Sequence, residues 1–306
     1  MPKVLLARGA RGELVRKIQV ALTAQGFDPQ GADGKFGKAT EAALKAFQQS
    51  SSFEPTGRVD VGTWTTLVSM PVPNTQERAL QLTAAFEGHG FTLAQGNWDG
   101  AGITWGIIGF TLKHGELGKI ILQVFDESPA LVQQSFGGNT EELIEVLNSP
   151  KAVQMQFANR ISLGTTKTTL KEPWRSGFRA FGEIAEVQAL QLAVADQDYG
   201  QPAAATAAGL GLASELGRAL AFDIHVQNGG IKASAREEIE ATLDETTITT
   251  EQELRVVIAH AVADASSSFK EDVRSRKLTI ATGAGKVHGE TFVLTNWGLD
   301  ESAADS

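Results

Sequence analysis

Residues 83–110 have the sequence TAAFEGHGFTLAQGNWDGAGITWGIIGF. An apolar helical pattern ends at Glu87, and a Gly-rich segment that follows contains Asp99. The connection between these two acids carries three further polar or aromatic side chains, Gln95, Asn97 and Trp98. Two carboxylates in different surroundings, with amide and aromatic groups that suit a sugar, are what a glycoside hydrolase needs. We interpret the rest of the chain as support for this stretch, or as a means of delivering it to a polymer.

The two acids have different predicted environments. Glu87 follows Ala84, Ala85 and Phe86, and apolar surroundings favour the protonated form that a general acid requires. Asp99 lies in a polar Asp-Gly turn, where a carboxylate stays ionised. Each acid also has an ordinary explanation, Glu87 as a solvated charge at a helix end and Asp99 as a turn residue. The spacing of the two acids alone does not decide between these interpretations.

Composition and charge exclude several classes of protein. The 306 residues include 42% hydrophobic and 21% charged side chains, which is ordinary for a globular protein large enough for two domains. Residues 1–70 carry nine Lys and Arg against six Asp and Glu, a formal charge of +3, while the remainder carries 18 against 30, a charge of −12. The acidic balance argues against nucleic-acid binding. Without cysteine the chain has no disulfide, no thiolate catalysis and no Cys-ligated zinc.

Residues 1–70 have the pattern of a small three-helix unit. Helices are predicted from Leu14 to Gly26, from Ala39 to Gln49 and from Val61 to Val68. Turns are predicted over residues 31–37 and 56–60, where Asp-Gly and Thr-Gly pairs occur. Apolar, glycine and polar residues recur through these helices and turns as one motif, which consists of Val15, Ile18, Gln19, Leu22, Gly26, Asp33, Gly34, Phe36, Gly37, Thr40, Ala43, Leu44, Phe47, Gln48, Gly57, Asp60, Thr63 and Trp64.

This motif resembles the three-helix peptidoglycan-binding module that is attached to many cell-wall hydrolases. The resemblance covers the whole of residues 1–70. It implies that the segment binds the bacterial cell wall. Phe36, in the turn after Asp33-Gly34, is the candidate for cell-wall contact, and core packing is an equal alternative for this side chain.

A linker and a larger helical domain follow. Pro71 and Pro73 predict a short, stiff spacer over residues 71–75, so that residues 76–306 form a second domain. Thr75 is the predicted N-cap of a helix that runs to Phe86. After a small β element around residues 97–108, most of the pattern up to Thr282 is helical. The segment Gly283–Ser306 is predicted to be loop and tail, with Glu301–Ser306 disordered.

The segment from Asp99 to Phe110, DGAGITWGIIGF, is similar to the signature DGRGYTAGIIGF of family 46 chitosanases, which belong to the lysozyme superfamily. A helix-end Glu precedes the signature in both. Weaker similarity includes Phe222–Gly230 and Arg276–Gly289. The resemblance spans residues 76–295 in patches, and it implies a mainly α, two-lobed domain with a cleft behind the small N-terminal domain.

The resemblance also assigns roles. It implies that Glu87 is the general acid, Asp99 the general base and Thr104 the hydroxyl that helps to hold the attacking water. It further implies inversion at the anomeric carbon, with carboxyl groups roughly 6.5–9.5 Å apart. The sequence departs from the family pattern in three ways: the spacing from Glu87 to Asp99 is shorter, Ala101 replaces an Arg, and Ile103 replaces a Tyr.

Further side chains are candidates for the substrate site. Gln95, Asn97 and Trp98 suit sugar hydroxyls and rings, and so do His225 and Asn228 in the run FDIHVQNGG. For His225 and Asn228, a hydrogen-bond network at a helix end is an even alternative. Asp223 is predicted to be a structural partner of an Arg, such as Arg175 or Arg179. The five histidines show no metal-ligand spacing, so we expect neither a metal nor another cofactor.

The combined features predict a modular, endolysin-like peptidoglycan hydrolase of phage or bacterial origin. Its expected partner is the glycan strand of bacterial peptidoglycan, with no nucleic-acid partner, no membrane insertion and a monomeric state. The alternatives are a chitosanase, which the −12 charge of residues 71–306 would suit, and a non-catalytic wall-binding protein. The N-terminus lacks the apolar segment of a signal peptide, so we expect synthesis in the cytoplasm and access to the wall through a holin or a secretion apparatus.

Overall fold

The computed structural model of the chain describes residues 2–88 and 90–305. Met1, His89 and Ser306 lie outside the described residues. Two compact units are present: Met1–Phe86 together with Tyr199–Ser306 form the first, and Glu87–Asp198 form the second. Helices dominate both units, and the strands are short and antiparallel. No helix within the described residues is both long and apolar enough to cross a membrane.

The N-terminal module consists of three helices and a two-stranded sheet. Its elements are β1 (Val4–Leu6), α1 (Glu13–Ala24), α2 (Lys38–Ser50), β2 (Val59–Asp60) and α3 (Val61–Val68). Apolar side chains that recur at helical spacing form its core, including Val15, Ile18, Leu22, Leu44, Phe47 and Trp64. The three helices lie within one or two residues of the predicted bounds.

Two buried glutamines fix the turns of the module. Gln19 accepts a hydrogen bond from the Gly34 amide (2.8 Å) and donates to the Asp33 carboxylate (2.9 Å). Gln48 does the same for the second turn, accepting from the Gly57 amide (2.9 Å). A buried amide that is fully hydrogen-bonded specifies one backbone arrangement, which explains why Gln19 and Gln48 belong to the motif.

Phe36 belongs to the core of the module. Its side chain is only 2% exposed, because the turn folds back so that the Phe36 amide donates to Ala10 O (2.9 Å). Wall contact by Phe36 stays a prediction. Core packing is the role that its burial supports.

A long helix, α4 (Thr75–Glu87), follows the module. The residue that caps its start is Asn74, not Thr75 as predicted. Asn74 Oδ1 accepts from the Glu77 amide (2.9 Å), and the Asn74 amide donates to the Glu77 carboxylate (2.9 Å), which is a capping box. The segment before it is packed, since Trp64 Nε1 donates to Pro71 O (3.0 Å). The division at residues 70 and 76 stays a prediction.

The second unit contains a small sheet and helices around it. Its elements are β3 (Ala94–Gln95), β4 (Thr104–Trp105), β5 (Phe110–Thr111), α5 (Glu116–Glu127), α6 (Pro129–Phe136), α7 (Thr140–Leu147), α8 (Lys151–Ile161), β6 (Ser162–Leu163), β7 (Thr169–Leu170), α9 (Trp174–Glu183) and α10 (Ala185–Ala195). An aromatic cluster of Trp105, Phe136, Phe157, Trp174, Phe178 and Phe181 forms its core.

The first unit is completed by the C-terminal part of the chain. Its elements are α11 (Gln201–Gly209), α12 (Glu215–Asn228), α13 (Ala233–Glu245), α14 (Glu251–Asp264), α15 (Lys270–Thr282), β8 (Ala284–Val287) and β9 (Glu290–Val293). The hairpin β8–β9 and the 3-10 helix Leu294–Trp297 overturn the prediction of a loop and tail after Gly283. Apolar residues of the segment after Gly283 are buried and hold it in place, among them Phe292, Leu294, Trp297 and Leu299.

The last described residues are also ordered by contacts. The Ala304 amide donates to Ala213 O (2.9 Å), and the Thr75 amide donates to the Asp305 carboxylate (2.7 Å). The prediction of disorder over Glu301–Ser306 is therefore wrong for residues 301–305, while Ser306 lies outside the described residues.

Candidate active site

The three-stranded sheet β3–β4–β5 organises the Gly-rich stretch. Its register pairs Gln95 with Thr104 and Thr104 with Thr111, whereas Trp105 pairs with Ala94 and Phe110. Directly paired residues of antiparallel strands point to the same face. Gln95, Thr104 and Thr111 therefore form one polar row, and the opposite face is apolar.

The apolar face anchors the sheet in the core of the unit. Trp105 is fully buried and stacks on Phe181, with ring centroids 5.5 Å apart. Its indole Nε1 donates to Phe178 O (2.8 Å), so the one polar atom of the ring is satisfied. This packing fixes β4 and with it the position of Thr104, which is 8% exposed.

The polar row continues beyond the residues that the sequence suggested. The Thr111 hydroxyl lies 2.9 Å from His114 Nδ1 and 3.3 Å from the Glu116 carboxylate. Thr111 and His114 were not among the predicted site residues. They are recognised from the pairing of β4 with β5, which places Thr111 beside Thr104. The local sequence pattern does not reveal this pairing.

The loop that carries Asp99 is braced by Asn97. Its Oδ1 accepts from the Gly102 amide (2.8 Å), its Nδ2 donates to Asn159 Oδ1 (3.0 Å), and its backbone amide donates to Ser162 Oγ (2.9 Å). These contacts close the loop over residues 97–102 and tie it to the end of α8. Asn97 thus has a structural role, and contact with substrate stays a prediction for it.

Gly96 allows the loop to approach its neighbours closely. A Cβ at this position would lie 2.5 Å from Lys167 O and 2.8 Å from Thr169 O, both backbone atoms. No side chain larger than hydrogen fits there. The close approach fixes the start of the loop that presents Trp98 and Asp99.

Trp98 and Asp99 are presented to solvent. The Trp98 side chain is 56% exposed, which is unusual for the largest apolar residue. The Asp99 carboxylate is also exposed and accepts from the Ala101 amide (2.9 Å), which fixes one oxygen and leaves its outer side accessible. An exposed aromatic ring beside a carboxylate is suited to binding a sugar ring and activating water.

Glu87 stands at the end of α4. Ten residues of α4, Thr75 and Arg78–Phe86, are buried, but Glu87 is exposed. The prediction that apolar neighbours along the helix would enclose Glu87 is wrong, because the helix ends at this residue. Glu87, Gln95, Asn97, Trp98, Asp99 and Thr104 all belong to the second compact unit.

A cluster of buried charges contacts α4 one turn before its end. Thr83 Oγ1 donates to Asp223 (2.9 Å), which also binds Arg276 (2.7 Å) and Lys277 (2.5 Å). Burial alone would raise the pKa of Asp223, but the charges of Arg276 and Lys277 outweigh it and lower that pKa to about 2. Asp223 is the structural partner of an arginine, as predicted, but that arginine is Arg276 and not Arg175 or Arg179.

His225 and Asn228 lie on α12 in the first unit. His225 Nε2 is 2.8 Å from the Thr206 hydroxyl, and burial, with the charge of Arg236, lowers its pKa, so the ring is neutral at neutral pH. Asn228 Nδ2 donates to Ser266 Oγ (3.4 Å), and Asn228 lines an open pocket of about 220 Å³. Both side chains take part in helix-end contacts, and their role in substrate binding stays a prediction.

Comparison with known proteins identifies the chemistry. The family model of glycosyl hydrolase family 46 matches residues 88–256, more than half of the chain. This chain belongs to glycosyl hydrolase family 46. A family of peptidoglycan binding domains matches residues 11–67. The chain is therefore a glycoside hydrolase with an N-terminal peptidoglycan-binding domain, as the two resemblances in the sequence indicated.

Solved structures confirm the mainly α fold that family 46 implies. A native chitosanase from Bacillus subtilis MY002 is 17% identical, with a TM-score of 0.50, over 72% of this chain and 98% of that chain. The chitosanase OU01, solved with substrate, is 21% identical, with a TM-score of 0.50, over 70% of this chain and 94% of that chain. A Gynuella sunshinyii chitosanase in complex with chitotetraose is 18% identical over 73% of this chain and 99% of that chain, at a TM-score of 0.48. Among proteins of curated function, none matches this chain.

The family 46 match includes most of the candidate site. Asp99, Thr104, His225 and Asn228 lie inside it, and Glu87 is the residue directly before it. Among residues 2–88 and 90–305, no group of three or more His, Asp or Glu side chains is arranged to hold a metal ion.

Proposed function

We propose that this family 46 glycosidase cleaves the β-1,4-linked aminosugar backbone of bacterial peptidoglycan. The observation that carries the proposal is the peptidoglycan-binding domain matched at residues 11–67 of the same chain. A wall-binding domain raises the local concentration of a glycosidase at the wall polymer. Such a domain has no evident use on an enzyme whose substrate is a different polymer.

The proposed mechanism assigns one role to each of the two carboxylates. Glu87, as the general acid, protonates the leaving oxygen, and Asp99, as the general base, takes a proton from the attacking water. Water attacks the anomeric carbon on the face opposite the leaving group, so the configuration inverts. The hydrogen bond that orients Asp99 supports its role, and the exposure of both carboxylates leaves them accessible to a polymer.

Thr104 is proposed to position the attacking water. Replacing Thr104 by Val keeps the shape of a nearly buried side chain and removes the hydroxyl from the polar row. We expect kcat to fall by about 10²-fold, because misplacing a reacting group costs about that much, while KM stays unchanged. The check is steady-state kinetics on a soluble glycan. Thr169→Val, an exposed strand residue of the same unit, is the matched control, and equal rates for the two variants would remove Thr104 from the mechanism.

Chitosan is the second candidate substrate. The −12 formal charge of residues 71–306 suits a polycation, and both named structures with a TM-score of 0.50 are chitosanases. The backbone bonds of the two polymers are similar enough for one acid–base pair to cleave either.

A parallel digestion distinguishes the substrates. Purified sacculi and soluble chitosan are each incubated with the full chain, and products are analysed by mass spectrometry and reducing-end assay. Muropeptides with a newly formed reducing end are expected from sacculi, and their terminal sugar identifies the bond that is cut. Reducing ends from chitosan with none from sacculi would assign the enzyme to chitosan instead. Sedimentation with sacculi and no product from either polymer would indicate a wall-binding protein without activity.

A further inference from the structure

The C-terminal turn of α4 receives two side chains from distant parts of the chain. The last carbonyls of a helix have no partner within the helix. Arg11 Nη2 donates to Ala85 O (3.2 Å), and His288 Nδ1 lies 3.1 Å from Phe86 O. The next residue is Glu87, which ends the helix. A cation at this position also interacts favourably with the negative end of the helix dipole.

Arg11 comes from the N-terminal module. It lies between β1 and α1, and it is the first residue of the peptidoglycan-binding match. One of the two residues that contact the end of α4 therefore belongs to the domain that is matched for wall binding, at a sequence separation of 74 residues from Ala85.

The Arg11 side chain is held on three sides. Its guanidinium lies 4.8 Å above the Phe292 ring and forms an ion pair with Glu290. Phe292 in turn packs on Phe86, with ring centroids 4.6 Å apart. The side chain is 31% exposed, so most of it is covered by these contacts. A guanidinium with this many fixed partners loses little further freedom when it holds the Ala85 carbonyl.

The backbone on both sides of Arg11 is fixed as well. Trp297 Nε1 donates to Arg11 O (3.1 Å), and Gln81 of α4 accepts from the Glu13 amide (2.7 Å). Gly12 adopts a φ of 125°, and a Cβ there would lie 2.6 Å from Gln81 Oε1. The module thus meets α4 along one side of the helix as well as at its end, and Arg11 is delivered to Ala85 by a rigid segment.

We propose that Arg11 is a positioning residue for the catalytic helix end, so that the wall-binding module is also part of the catalytic apparatus. Arg11 fixes the carbonyl two residues before Glu87 and thereby fixes the backbone from which the Glu87 carboxyl extends. This inference rests on the proposed role of Glu87 as the general acid. The module then contributes to the chemical step itself, in addition to holding the enzyme on its polymer.

The test measures chemistry where wall binding plays no part. Arg11→Met keeps the apolar stem over Phe292 and removes the donor to Ala85 O. On a soluble glycan oligomer that the wild type cleaves, we expect kcat to fall by about 10²-fold with KM unchanged, since a displacement of about 1 Å has that effect. Sedimentation with sacculi is expected to be unchanged. Arg11→Lys, which keeps the charge, is expected to recover part of the lost rate.

The matched control is Arg8→Met. Arg8 lies three residues earlier in the same module and pairs with Glu41 of that module (3.3 Å). The Arg8→Met variant is expected to retain the wild-type kcat. Thermal unfolding of each variant separates a positioning effect from loss of fold. If Arg11→Met does not fold, Arg11→Lys provides the measurement, and we expect it to have a lower kcat than Arg8→Met with the same KM.

Two outcomes overturn the inference. In the first, the folded Arg11 variants have the same kcat as Arg8→Met. In the second, the Arg11 variants differ from the wild type only in KM and in binding to sacculi. Failure of the proposed role of Glu87 has a different signature, because Glu87→Gln would then keep wild-type activity, and failure of the proposed substrate would appear as no product from sacculi with the wild type. The role of Arg11 alone would be rejected if the wild type is active, Glu87→Gln is inactive and the Arg11 variants are fully active.

Discussion

Glu87→Gln is expected to lower glycan cleavage by about 10²–10⁴-fold and to leave binding to sacculi unchanged, the loss that removal of a general acid produces. Glutamine has the shape of glutamic acid but has no acidic proton to transfer to the leaving oxygen. Glu87 is exposed at the end of α4, so the substitution buries no new polar group and leaves the packing of Phe86 intact. The measurement is release of reducing ends, with sedimentation of sacculi as the binding assay.

Glu127→Gln is the matched control for this prediction. Glu127 is the last residue of α5 and is exposed, just as Glu87 is the last residue of α4. The control is expected to keep the wild-type rate. If Glu87→Gln and Glu127→Gln cleave equally well, Glu87 is an ordinary helix-end charge, and the general acid has to be sought elsewhere in the chain.

Local signals made much of the fold predictable. Helix α3 has the predicted bounds, because Asp60 caps it by accepting from the Thr63 amide (2.8 Å) and Ser69 ends it in a left-handed conformation. The short strands β4 and β5 lie in and directly after the predicted β segment, where β-branched residues and glycines alternate. Helix caps, turns and hydrophobic periodicity each involve only a few neighbouring residues, so they can be recognised in a single sequence.

Long-range contacts explain what was not predictable. The tail after Gly283 has no strong pattern, yet Phe292 packs on Phe86 and Trp297 donates to Arg11. The partner of Asp223 was wrongly predicted for the same reason, since Arg276 is 53 residues away and no periodicity relates the two positions. The exposure of Glu87 depends on where the helix ends in three dimensions, and the sequence pattern before it indicated the opposite.

The largest effect on stability is expected from Asp223→Asn. Asp223, Arg276 and Lys277 are all fully buried, and the carboxylate is the partner of both cations. Asparagine keeps the size of the side chain but removes the negative charge that both buried cations contact. Breaking a buried pair in this way costs about 3–5 kcal/mol of the free energy of unfolding. Urea unfolding at neutral pH is the measurement, and a shift in midpoint without a change in slope is the expected form.

Asp264→Asn is the control for that measurement. Asp264 also pairs with an arginine, Arg274 (2.8 Å), but its side chain is 44% exposed, so water replaces the lost partner and little change in stability is expected. Equal effects of the two substitutions would mean that burial does not amplify the Asp223 pairs.

The stabilising effect of Asp223 is expected to depend on pH in a defined window. The pKa of Asp223 is about 2 in the folded protein, below the ordinary value of 3.8. A carboxyl group whose pKa is lowered by folding stabilises the fold above its unfolded pKa, and this contribution is lost as pH falls through the folded pKa. The stability difference between wild type and Asp223→Asn should therefore be constant above pH 4 and shrink as pH falls towards 2. Unfolding midpoints measured across this range test the prediction, and a difference that grows on acidification would contradict the assignment of Asp223 as the ionised partner of Arg276 and Lys277.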